Sequence, residues 1–157
     1  MGASEGMYVV RTPRYRKSEP AMRWALPDRV FFACGACHIL AHAFLERHES
    51  VRVRVVWIRP DTGFAGHHVF VDGGAWTFDY HGFVRPGALL IHHETRARQR
   101  CPGWNATLIE IPPAVLTSQA GSRAFDPALR LREPGQFLHD ALPRARRFLD
   151  RFPAPPG

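Results

Sequence analysis

Apolar residues fall along the chain in stretches of different period. Val30-Phe31-Phe32-Ala33 is a continuous apolar run; after Cys34-Gly35-Ala36-Cys37, the residues Ile39, Leu40, Ala43 and Phe44 repeat at helical spacing. This predicts an amphipathic helix from about Gly35 to His48, with Cys37 in or near its first turn. Val51 to Ile58 alternates and then turns fully apolar, which predicts a strand ending at Pro60-Asp61-Thr62-Gly63. His67 to Asp72 and Ala75 to Tyr80 flank Gly73-Gly74 and predict a hairpin, hence an antiparallel sheet. Pro86 to Arg98 predicts a helix begun by its proline, and Trp104 to Ile111 a strand stopped by Pro112-Pro113. Thr117 to Pro134 is rich in turn residues, and Gly135 to Phe152 has the pattern of an amphipathic helix kinked or restarted at Pro143. Residues 1–27 are polar, basic and broken by Pro13, Pro20 and Pro27. They predict an extended arm with at most a short strand at Met7 to Val10. With no internal repeat and no interdomain linker, residues 28–157 are expected to form one α+β domain, its cysteine-bearing helix packed on an antiparallel sheet.

Composition narrows the classes of function. A chain of 157 residues with 45% apolar content can bury one core. The net charge of +7 raises nucleic acid as a partner, but the basic residues are scattered and Lys17 is the only lysine. The dense spots, Arg11 to Lys17 and the cluster Arg144, Arg146, Arg147 and Arg151, read as solvated faces, so nucleic acid is not the favoured partner. The start of the chain shows no apolar run behind a basic segment, and no stretch has the length needed to cross a bilayer. A cytoplasmic protein without a membrane partner is the expectation. Three cysteines at uneven spacing suggest reduced thiols rather than a disulfide framework.

Candidate chemistry concentrates at Cys37. At a helix start, unpaired backbone N–H groups and the positive end of the helix dipole lower a thiol's pKa and favour an anion beside it. His68 and Asp79 lie on the two arms of the hairpin at nearly matching distances from Gly73-Gly74, so they can be neighbours on one face. An imidazole near the thiol, held in turn by a carboxylate, supplies nucleophile, general base and orienting group. His67 is an adjacent candidate base, but consecutive strand residues face opposite sides, and hairpin register decides which is available.

The pattern resembles the papain-like and transglutaminase-like cysteine superfamily, in which a cysteine at a helix N-terminus is followed by a histidine and an aspartate on successive strands. Cys34-Gly35-Ala36-Cys37 is similar to the start of the papain signature, with His38 in place of its aromatic residue. Cys37-His38-Ile39-Leu40-Ala41, His68-Val69-Phe70-Val71, Gly73 and Phe78-Asp79-Tyr80-His81-Gly82 resemble small bacterial and phage-associated members. The likeness covers about residues 30 to 84. It implies Cys37 as nucleophile, His68 as base and Asp79 as orienter, acting without cofactor or metal on an amide or thioester bond of a peptide, protein or small molecule. Phe31 stands where papain places its oxyanion glutamine, leaving the Cys37 backbone N–H and a second donor yet to be identified. The short interval from Cys37 to His68 fits a compact transglutaminase-like or NlpC/P60-like core better than a two-lobed protease.

Three rival readings use the same residues. Cys34 to His38 also has the form CxxCH of haem attachment, which calls for export that nothing in the chain indicates. A strand followed by CxxC and a helix is the thioredoxin-like redox pattern, which leaves His68 and Asp79 without a role. Cys34, Cys37, His38 and His42 are zinc-ligand types close in sequence, yet there is no second CxxC. His38, His42 and His48 read as ordinary half-buried helix residues, and His92, His93 and Cys101 likewise carry no assigned role. A non-catalytic binding module on the same fold is the remaining alternative.

Overall fold

The computed structural model describes residues 7–157. Helices α1 (Pro20–Trp24), α2 (Asp28–Phe31) and α3 (Cys37–Arg47) precede all of the strands. Then follow β1 (Arg54–Pro60), β2 (His68–Asp72), β3 (Thr77–Asp79), β4 (Gly82–Val84), α4 (Pro86–Arg100), β5 (Ala106–Glu110), α5 (Gln119–Phe125) and α6 (Leu142–Leu149). The strands form one antiparallel sheet in the order β4-β3-β2-β1-β5. The architecture is therefore α+β. Among the described residues no helix is long and apolar enough to cross a membrane.

Strand alternation sorts the core into two layers. Val55, Trp57, Val69, Val71 and Phe78 join Ile39, Leu40, Ala43 and Phe44 of α3 in the larger cluster, which α6 also enters through Ala145, Phe148 and Leu149. Val56, Ile58 and Phe70 point the other way and pack with Leu89 and Ala97 of α4 and with Trp104. Phe44 anchors the larger layer. Its ring lies 4.7 Å from Phe78 and 5.9 Å from Trp76, and it is 1% exposed, a burial that contributes about 1.5–3 kcal/mol. Trp76 shares this side with Phe78, so Asp79, one residue beyond Phe78, is turned to the other.

The pattern located most elements and misjudged some boundaries. Proline opens α4 as expected, and the last helix begins at Leu142 with Pro143 in its first turn, where a missing N–H costs nothing. The turn-rich stretch contains α5, capped by Ser118, whose hydroxyl accepts from the Gly121 N–H at 2.8 Å. The expected arm is not extended throughout: Pro20–Trp24 is helical, and Tyr8, Val10, Trp24 and Leu26 pack against the main cluster. The rest of that arm, residues 1–6, lies outside the described residues.

Arg144 of α6 closes the N-terminal segment onto the domain. Its guanidinium donates to Asp28 Oδ1 at 2.8 Å, the Trp24 carbonyl at 2.7 Å and the Leu26 carbonyl at 2.6 Å, and it lies over the rings of Phe31 and Trp24. With 11% of its side chain exposed, these bonds are shielded from water, and removing it strands two carbonyls and leaves Asp28 with Arg151 alone. Arg144→Ala is expected to lower stability by about 2–4 kcal/mol in urea unfolding. Arg151→Ala, which removes a 55% exposed partner of the same Asp28, should cost less than about 1 kcal/mol. Equal losses would show that the clamp is no more than a surface ion pair.

Candidate functional site

Cys37 is the first residue of α3. Gly35, at φ 100°, turns the chain in the left-handed region that favours glycine, and Ala36 precedes the helix without a side-chain cap. The first helical bonds run from Ile39 and Leu40 N–H to the Ala36 carbonyl, so the amides of Cys37 and His38 have no helical acceptor and remain as donors beside the thiol. The thiol itself is half-buried.

His68 opens β2 and Asp79 closes β3. Both are almost wholly buried, 3% and 4% exposed, and His68 Nε2–H donates to Asp79 Oδ2 at 2.9 Å. The bond forms although the hairpin register differs from the expected one. Asp72 pairs with Thr77 and Val71 with Phe78, so His68 and Asp79 are diagonal rather than directly opposite. The turn occupies Gly73–Trp76, closed by Gly73 N–H to the Trp76 carbonyl at 2.8 Å, while Asp72 Oδ1 accepts from Gly74 N–H. A slip of two residues keeps both side chains on one face, whereas a slip of one would have separated them.

Asp79 has further partners. Its Oδ1 accepts from the His81 backbone N–H at 2.8 Å and from His81 Nδ1 at 2.9 Å, and His81 Nε2 stands 3.3 Å from the Tyr8 carbonyl. Burial alone would raise this carboxyl's pKa. Hydrogen bonds from His68 and His81, with their charge, outweigh it and hold the group well below the usual carboxylate range.

With Nε2 committed to Asp79, Nδ1 is the ring nitrogen of His68 left for Cys37. Burial would lower the imidazole's pKa, but bonding to Asp79 and to Cys37 raises it to about 10. Burial likewise opposes the thiolate, yet hydrogen bonding and charge from His38 and His68 bring Cys37 down to about 5. Between those two values the stable form is a thiolate beside an imidazolium. Cys34, by contrast, is pushed up by burial and by the neighbouring Cys37 charge, so it remains a thiol.

The surroundings assign roles that the sequence left open. His67 stacks on Trp57 at 5.8 Å and accepts the indole N–H at Nδ1 over 3.2 Å, which holds it in the Trp57 layer. His38, read from sequence as an ordinary helix residue, is 2% exposed, donates from Nε2 to the Arg132 carbonyl at 2.6 Å and supports the Cys37 thiolate. His93 also has a part. Its ring stacks on His68 at 5.5 Å, its Nε2–H donates to the Gly66 carbonyl at 2.7 Å, and burial and the His68 charge lower its pKa to about 4. A neutral ring therefore covers one face of the imidazolium, and Tyr80 meets His68 edge-on at 5.6 Å. His81 had a legible signal: it stands two residues beyond Asp79 in the turn before Gly82, where an aspartate side chain accepts from the backbone N–H two residues on. His93 had none, because its contact with His68 exists only once α4 crosses the sheet.

The zinc set does not converge. His38 is bonded to Arg132, His42 pairs with Glu46 at 3.6 Å on the surface, and among the described residues no group of three metal-ligating side chains is placed to hold an ion. The segment before the CxxC, which a redox fold of the expected kind would make a strand, is α2 followed by a turn. Cys101 ends α4 and packs in the smaller cluster. The chain matches no family model, no curated protein and no solved structure.

Reactivity follows from the charges. At about pH 6 an ordinary thiol is almost wholly protonated, whereas Cys37 should be mostly thiolate. A short iodoacetamide pulse read by peptide mapping is expected to label Cys37 ahead of Cys34 and Cys101. His68→Ala should move the midpoint of Cys37 labelling to higher pH by removing a cationic partner, Asp79→Asn should have an intermediate effect, and His67→Ala little. Like behaviour of the two histidine variants would dissolve the assignment.

Proposed function

We propose that the protein is a cysteine-nucleophile hydrolase or acyl-transfer enzyme acting on an amide or thioester bond, with Cys37 as nucleophile, His68 as general acid and base, and Asp79 as orienter. The observation that carries this reading is the buried His68–Asp79 hydrogen bond, set beside a thiol on the first residue of a helix. A structural cysteine needs no low pKa, and a structural histidine needs no buried carboxylate to keep it charged. The order of cysteine on a helix and histidine and aspartate on successive antiparallel strands supports the resemblance to a compact papain-like or transglutaminase-like core.

In the proposed reaction the Cys37 sulfur attacks the carbonyl carbon, and the developing oxyanion is met by the unpaired backbone N–H of Cys37. His68 delivers its Nδ1 proton to the departing amine or thiol as the carbon–nitrogen or carbon–sulfur bond breaks, leaving an acyl thioester on Cys37. The neutral imidazole then takes a proton from water or from an acceptor amine or thiol, which attacks the thioester and releases the sulfur as thiolate. Asp79 keeps its negative charge throughout, stabilising the imidazolium and fixing Nδ1 toward the thiol. A peptide, a protein or an amide-bearing small molecule would serve as acyl donor.

Incubation with an activated aryl thioester tests this reading. A burst of released thiol equal to the protein present is expected, with an acyl adduct located at Cys37 by mass spectrometry and absent from Cys37→Ala. The burst rate should rise with pH as Cys37 ionises near 5, because attack needs the thiolate, and acylation by an unactivated amide should fall as His68 loses its proton near 10, because an amine departs only when protonated. A rate that climbs only above the ordinary thiol range, or an adduct on Cys34, would defeat the proposal.

A further inference from the structure

A cavity of about 140 Å³ opens beside His68, and none of the side chains lining it is acidic. Cys34, Tyr80 and Val10 of the N-terminal segment line it together with a stripe of α4. His92, Arg96 and Arg100 recur there at helical spacing, each four residues after the last, and His93 stands next to them. Elsewhere on the same helix arginine is matched: Arg98 pairs with Glu94. On the cavity stripe it is not. Arg96 donates to Gln99 Oε1 at 3.2 Å, and among the described residues neither Arg96 nor Arg100 has a carboxylate partner. The charge of Arg100 is felt at Cys34, Tyr80 and His93 and that of Lys17 at Cys34 and His67, and the anions felt at the same groups, Asp79, Cys37 and Asp126, each have a cationic partner in His68 or Arg59.

A helix face that is merely solvated mixes the two signs, as α4 does at 94 and 98. Unmatched cations gathered around one concavity instead raise its potential and draw in an anion, and the guanidinium fork suits a carboxylate. The space is room enough for a short chain ending in a carboxylate.

Resting on the reading of Cys37 as the reacting thiolate, we propose that this cavity is a subsite for a substrate carboxylate, held by Arg96 and Arg100. The amide or thioester acted on then belongs to an acidic molecule, with a carboxylate carried a few bonds from the scissile carbonyl, as in an acidic amino-acid residue or an acylated dicarboxylic compound. Cys37 does not itself line the cavity, but His68 and Cys34 do and both interact with it, so a group bound there is one side chain removed from the reacting sulfur.

The test compares alkylation of Cys37 by iodoacetate and by iodoacetamide, which differ in one charge and react alike, the sulfur displacing iodide from carbon. A charge about 6 Å away through water alters such a ratio about threefold. The iodoacetate-to-iodoacetamide rate ratio of Cys37 is expected to exceed that of a small free thiol by about tenfold, and Arg96→Gln and Arg100→Gln should each lower it about threefold. Arg130→Gln, on an exposed loop, should leave the ratio unchanged. Glutarate should protect Cys37 of the unaltered protein from iodoacetamide and fail to protect the double arginine variant. An unchanged ratio in both variants, an equal fall in Arg130→Gln, or stronger protection by inorganic phosphate than by glutarate would overturn the carboxylate subsite. Slow iodoacetamide labelling of the unaltered protein near pH 6 would instead overturn the thiolate reading, so the two failures are distinguishable.

Discussion

A carboxylate buried at the end of a three-residue strand is the constraint on which the site depends. An isolated charge in that position would be neutralised by protonation, because desolvation disfavours it by several kcal/mol. Asp79 avoids this through hydrogen bonds from the His68 ring and from both the backbone and ring of His81. The same bonds decide the chemistry around it. Once Nε2 of His68 is committed to Asp79, the ring's orientation and the identity of its free nitrogen are settled, and the cation it carries is the one that supports the Cys37 thiolate. The three groups form one electrostatic unit: loss of any member changes the protonation of the others.

Two layers of helix hold that unit together from opposite sides of the sheet. Cys37 arrives on α3, which packs on the Val69 and Val71 side of β2, whereas His68 follows the alternation of Phe70 toward α4. The partners meet because His68 is the first residue of its strand and Cys37 the first of its helix. From the other layer His93 stacks on His68, anchored by its bond to Gly66. Gly66 is itself constrained: at φ 101°, a side chain would be strained and its Cβ would stand 3.0 Å from Trp104 Nε1. The N-terminal segment joins the same assembly, since Tyr8 faces His81 and Arg144 ties Trp24, Leu26 and Asp28 to α6.

Local pattern was enough where one stretch of chain decides its own structure. Helical spacing of Ile39, Leu40, Ala43 and Phe44 placed α3 and put Cys37 at its start; alternation and paired glycines placed the β2–β3 hairpin; a proline placed the start of α4. These made Cys37, the His67-His68 pair and Asp79 candidate neighbours, since a helix start and two hairpin arms are local features and face parity survives a register slip of two, while the preference for His68 came from the family resemblance. Within residues 7–27 the structure departs from the expected arm, at the helix Pro20–Trp24, for the complementary reason. A polar, proline-broken segment reads as an arm, yet its few apolar residues are held by side chains more than a hundred positions away.

By itself, then, the sequence determined the α+β class, the positions of the cysteine helix and the histidine–aspartate hairpin, and the three residue types whose chemistry goes together. Tertiary structure alone set the two histidines apart, since His67 and His68 are equivalent until one is bonded to Trp57 and the other to Asp79. It alone also brought His38 and His93 to the site and turned the Arg96–Arg100 stripe toward a cavity. The physical reason is common to all of these: protonation, orientation and electrostatic potential depend on distances between groups far apart in the chain, and periodicity carries no information about those distances until the layers are packed.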